Sequence, residues 1–124
     1  MKHDTLSAAE KLEITVNHVN ERSELRLSGR LGIDSSPELR TQLLAILRVQ
    51  SPPAVSVDLS AISYIDASGV ATLVEGLKAA RHRGTTLCLQ GLQGRVRHLL
   101  EVTGMLTLFE TTGCGNDAPP TRVQ

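Results

Sequence analysis

Aromatic side chains are almost missing from this chain. Its 124 residues hold one Tyr, one Phe and no Trp. The core must therefore be aliphatic, built from Leu, Val, Ile and Ala. The same scarcity excludes the stacking platforms that single-strand nucleic-acid binders use. An excess charge of one sign is missing too, because 13 basic and 13 acidic residues balance. No overall field draws the chain to nucleic acid or to an anionic membrane. Cysteine is scarce, with two in the chain. Cys88, inside the apolar run at 85–90, reads as a core thiol, and Cys114 lies in a Gly-rich tail. Their spacing gives neither a metal site nor a redox pair. No stretch has the length that crossing a bilayer needs, and the N-terminus lacks the apolar segment of a signal peptide. The expectation is a cytoplasmic protein without membrane insertion, metal or cofactor.

Hydrophobic residues make up 40% of the chain, enough for one aliphatic core. The length fits one domain. Residues 1–11 read as a flexible start, 12–110 as the folded domain and 111–124 as a disordered tail. Charge is uneven along the chain. Glu10, Glu13, Glu21 and Glu24 come early; Arg81, His82, Arg83, Arg95, Arg97 and His98 come late. They read as two solvated faces, or as a bipolar surface that orients a partner.

Ile14 and Val16 alternate with polar residues, as do Leu25 and Leu27, which predicts two antiparallel strands joined by a short turn. Ser36, Pro37 and Glu38 have the chemistry of a helix start, with Ser36 as cap. Leu39, Leu43, Ile46 and Leu47 continue that helix to residue 50, where Ser51, Pro52 and Pro53 end it. Val55, Val57 and Leu59 alternate as a third strand. A second helix over 68–83 buries Val70, Leu73, Val74 and Leu77 and closes at Gly84. Residues 85–90 form a short apolar strand. A third helix covers 93–102, and 105–110 reads as a short strand or extended segment. Strands joined by helices imply parallel pairs with right-handed crossovers, and the first hairpin makes the sheet mixed. The fold class is α/β, with a four- to five-stranded mixed sheet and helices mainly on one face.

The segment Asp66-Ala67-Ser68-Gly69 carries the chemistry. It joins the end of a strand to the start of a helix, where open α/β sheets place ligands. Ser68 reads as the helix cap, near N–H groups free to accept a phosphate. Gly69 lets backbone come close. A plain capping serine explains the same residue type, and the two roles are compatible.

With its flanking strand and helices, this segment resembles the STAS domain of anti-sigma-factor antagonists, over roughly residues 12–110. The hallmark Asp–Ser/Ala/Thr–Ser–Gly is Asp66-Ala67-Ser68-Gly69 here. The resemblance implies that Ser68 is phosphorylated by an anti-sigma factor that is itself a serine kinase. The unmodified form would bind that partner, and a phosphatase would restore it. Asp66 would support the site, with Ala67, Ser68, Gly69, Asp34 and Ser35 as further partner contacts. The domain would not itself be the enzyme. One departure stands out: family members often carry Gly-x-Leu-Asp after the second strand, and this chain has Gly29-Arg30-Leu31-Gly32. Asp34 either substitutes for that Asp or serves the following turn. The family's last helix has no counterpart in the pattern after Glu110.

The alternative within the same fold is an accessory subunit of an ABC-type phospholipid transporter, whose partner would be the transporter ATPase. An enzyme with Ser68 as nucleophile is disfavoured. His3, His18, His82 and His98 have no spacing that makes one a base for Ser68, and there is no Gly-x-Ser-x-Gly elbow.

Overall fold

The computed structural model describes residues 11–111, apart from Gln93. The loose ends expected at 1–11 and 111–124, with Cys114, fall almost wholly outside the described residues. Strands β1 (Glu13–Val19) and β2 (Arg22–Leu31) form an antiparallel hairpin. Its two turn residues, Asn20 and Glu21, have φ of 50° and 71°. Positive φ at both positions matches the right-handed twist of the flanking strands. Helix α1 (Ser36–Ala45) then leads to β3 (Ala54–Ile65). Helix α2 (Ala67–His82) leads to β4 (Thr86–Gln90). The sheet has four strands in the order β1-β2-β3-β4, with β2, β3 and β4 parallel.

The start of α1 differs by one residue from the sequence reading. Ser35, not Ser36, holds the capping position, and Ser36 and Pro37 are the first helical residues. Past Ala45 the helix widens into one π-helical turn, Ile46–Gln50. There the Ser51 N–H donates to Ile46 O at 3.3 Å, and Ser51 takes a left-handed φ of 42°. Pro52 and Pro53 cannot continue the helix.

One face of the sheet carries the core. Leu25, Val57 and Leu89 lie in register on neighbouring strands. They join the helical residues Leu39, Leu43, Leu47, Leu73 and Leu77 in one buried aliphatic cluster. The cluster extends to Val96 and Leu100 of α3 (Gly94–Val102), and to Leu106 and Phe109 of α4 (Met105–Thr111). The other sheet face is polar: Glu24, Ser56 and Cys88 lie in one register row, and Arg26, Asp58 and Gln90 in the next.

One expectation is corrected here. Residues 105–110 are helical, not a strand. Leu106 and Phe109 are both buried at a spacing of three, which a helix presents on one face and a strand on opposite faces. Cys88 is buried as expected, yet it lies outside the aliphatic cluster. It alternates with Leu87 and Leu89, so its side chain points to the polar sheet face, where it is 6% exposed.

Candidate functional site

β3 ends at Ile65, and the chain turns through Asp66 into α2. Asp66, not Ser68, is the capping residue. Its backbone is extended, and its Oδ1 accepts from the Ser68 N–H at 2.9 Å and the Gly69 N–H at 3.2 Å. The Asp66 N–H donates to Leu31 O of β2 at 3.3 Å, which ties the turn to the neighbouring strand. Ser68 therefore lies inside the first turn of α2, half-buried. Among the described residues its hydroxyl has no hydrogen-bond partner. The first-turn amides expected to receive a phosphate are not free; the Asp66 carboxylate already holds two of them.

Gly69 is required by close approach. A Cβ there would meet Leu31 O at 2.7 Å and the Ile65 side chain at 2.9 Å. The backbone oxygen cannot step aside cheaply, so α2 can begin this near β2 only with glycine at that place.

The turn from β2 into α1 flanks the same end of the sheet. Gly32 is its hub. Its carbonyl accepts from the Ser35 N–H (3.0 Å), the Ser36 N–H (2.8 Å) and Ser36 Oγ (2.7 Å). Ser35 Oγ accepts from the Gly32 N–H at 3.0 Å and donates to Arg30 O at 2.8 Å. Ser35 is thus committed to the turn. Asp34 and Ala67 are exposed on the surface beside it. Ile33 is 72% exposed, a bare aliphatic side chain next to the Asp66–Gly69 turn. Asp34 makes no hydrogen bond or ion pair among the described residues, so it does not reach Asp66 in place of the Asp absent at position 32.

Sequence reasoning missed Tyr64. Residues two apart on a strand point the same way, so Tyr64 stands beside Asp66. Its hydroxyl donates to Asp66 Oδ2 in a long bond of 3.4 Å. The Arg30 guanidinium lies over its ring, 3.9 Å from the centroid. The signal was available: this is the lone Tyr of the chain, two residues before the hallmark Asp.

A groove of about 480 Å³ starts at Ala67 and follows α2 past Val70, Ala71 and Val74, with Thr103 and Met105 on its far wall. His18 and His82 lie elsewhere. His18 contacts Ser23 and Gln50 at the opposite pole of the sheet. His82 ends α2, roughly 21 Å along the axis from Ser68. Among the described residues no group of His, Cys, Asp and Glu is arranged to hold a metal ion.

The family model described as "Mlab, STAS domain" matches residues 14–110. The chain belongs to the STAS family. This STAS domain is 30% identical over 95 residues to the anti-sigma-B factor antagonist of Staphylococcus epidermidis, covering 77% of this chain and 86% of that protein. Among solved structures it resembles an anti-sigma factor antagonist from Mycobacterium paratuberculosis, with a TM-score of 0.73 and 21% identity over 81% of this chain and 84% of that one. It also resembles the Bacillus cell-fate determinant SpoIIAA in its phosphorylated form, with a TM-score of 0.63 and 16% identity over 75% and 85%. The mixed four-stranded sheet with its helices is the fold of these neighbours. Among the described residues of this STAS domain, no helix is long and apolar enough to cross a membrane.

Proposed function

We propose that this STAS domain is an anti-sigma-factor antagonist whose binding to its partner is controlled by phosphorylation of Ser68. The observation that carries this reading is the unpartnered hydroxyl of Ser68 in the Asp66–Gly69 turn, flanked by exposed Ile33 and the apolar groove along α2. Apolar surface around a modifiable polar atom suits a protein partner, and the names of the relatives support an anti-sigma factor as that partner. The kinase supplies the catalytic apparatus and this domain the substrate serine, with a phosphatase reversing the step. Asp66 shapes the turn; Ala67, Gly69, Asp34 and Ser35 border the contact surface. Such an exchange takes place in the cytoplasm.

A phosphate would add about −1.5 to −2 charges at the docking surface. The partner would have to desolvate that charge. A differential of about 3 kcal/mol lowers affinity roughly a hundredfold, enough to move a partner between two complexes. Titration calorimetry of the anti-sigma factor against unmodified protein, Ser68→Ala and protein carrying phosphoserine at 68 tests this. Ser68→Ala should bind like the unmodified protein, and the phosphoprotein should bind far more weakly. Equal affinities would refute the switch.

A second reading that the same STAS fold allows is an accessory subunit of an ABC-type phospholipid transporter. Co-purification with a transporter ATPase, insensitive to phosphoserine at 68, would select it.

A further inference from the structure

A helix start leaves four backbone amides without an intrahelical acceptor. At the start of α2 three of them are taken. The Asp66 N–H bonds to Leu31 O, and the Ser68 and Gly69 N–H groups both bond to Asp66 Oδ1. The carboxylate stands where an anion at this helix end would otherwise sit. A phosphate on Ser68 could claim the same amides only by expelling it, because two anions cannot share those donors.

The carboxylate is held on its other side as well. Tyr64 Oη donates to Oδ2 at 3.4 Å, and Arg30 stacks on the Tyr64 ring at 3.9 Å. Gly32 leaves the space for this arrangement: a Cβ there would stand 2.8 Å from Asp66 Oδ2 and 3.2 Å from Tyr64 Cε2. Where the family pattern often has Asp, this chain has glycine and brings a tyrosine hydroxyl from the adjacent strand.

The geometry points to Asp66, restrained by Tyr64, as the positioning residue that keeps a phosphate on Ser68 turned outward, so that its charge is displayed to the partner instead of being absorbed by the helix end. The inference rests on Ser68 being the phosphorylated residue. Under it, the state of Ser68 is read from surface charge beside Ile33, while the first turn of α2 stays as it is.

Phosphoserine can be placed at 68 by directed incorporation, without knowledge of the kinase. The readout is the amide proton shift of Gly69 in ¹H–¹⁵N spectra, because an amide that bonds to phosphate moves downfield. In the otherwise unaltered protein, phosphoserine should leave the Gly69 amide nearly in place. In Asp66→Ala, the same modification should move it clearly downfield, as the phosphate folds back onto the vacated amides. Tyr64→Phe keeps the cap but frees Oδ2; its Gly69 amide should shift by an intermediate amount on phosphorylation. A downfield shift in the unaltered protein as large as in Asp66→Ala would overturn the proposal. Should Asp66→Ala not fold, the unaltered protein and Tyr64→Phe still decide: a large shift in the first refutes the role of Asp66, and identical behaviour of the two refutes that of Tyr64. The switch itself is tested separately, since undiminished partner affinity of the phosphoprotein would refute it whatever the Gly69 amide does.

Discussion

Gly32 lies directly against the Asp66 carboxylate, so close that a Cβ at position 32 would stand 2.8 Å from Oδ2. The two residues directly follow β2 and β3 and meet where both strands end. Gly32→Ala must push the carboxylate aside and strain its bonds to Ser68 and Gly69. Damaging a cap of this kind costs about 1 kcal/mol. Urea denaturation should show a loss of that size, with the slope unchanged.

Asp66→Ala removes the acceptor for both amides outright. The expected loss is about 1–2 kcal/mol. Asp66→Asn should recover most of it, because an amide oxygen can accept the same bonds. Equal losses for the two variants in thermal denaturation would mean that the cap contributes through its charge.

Gly69→Ala faces a harder obstacle, the backbone oxygen Leu31 O at 2.7 Å. Either α2 or β2 must move. Overpacking of this kind costs about 1–3 kcal/mol. The loss should appear as a lower denaturation midpoint.

Leu73 is 0% exposed at the centre of the aliphatic cluster. Leu73→Ala should cost roughly 2–5 kcal/mol, the range for a large-to-small change in a packed core. Calorimetric melting would measure it.

Arg40 and Glu75 form an ion pair between α1 and α2 at 2.8 Å, with side chains 53% and 44% exposed. Water and salt screen such a pair. Arg40→Ala should change stability by less than about 1 kcal/mol, and the difference should shrink further in high salt.

Much of the fold was legible in local pattern. The spacing of Leu39, Leu43, Ile46 and Leu47 marked the buried face of α1, and that of Val70, Leu73 and Leu77 the buried face of α2. These signals are local because a helix repeats every 3.6 residues and a strand every two. The end of the chain was less legible. Six residues at 105–110 are too few for periodicity to separate helix from strand, and packing of Leu106 and Phe109 into the cluster decided it. The side-chain direction of Cys88 depended on which face of β4 the helices cover. Val74 shared the expected stripe with Leu73, yet it is only half-buried, lining the groove beside Met105.

The sequence by itself determined the order of the elements, the aliphatic core and the Asp66–Gly69 turn as the place of interest, because each is written in neighbouring residues. Only the tertiary structure decided how that turn is built. Asp66 caps the helix in place of Ser68, Tyr64 braces Asp66, and Gly32 and Leu31 press on the turn from another strand. Residues 32 and 66 are brought together by the parallel pairing of β2 with β3, and no local pattern in either segment encodes that contact. The state of the Ser68 amide follows from it: a hydrogen bond is made or withheld over a few tenths of an ångström, and the packing of two strands against a helix sets that distance.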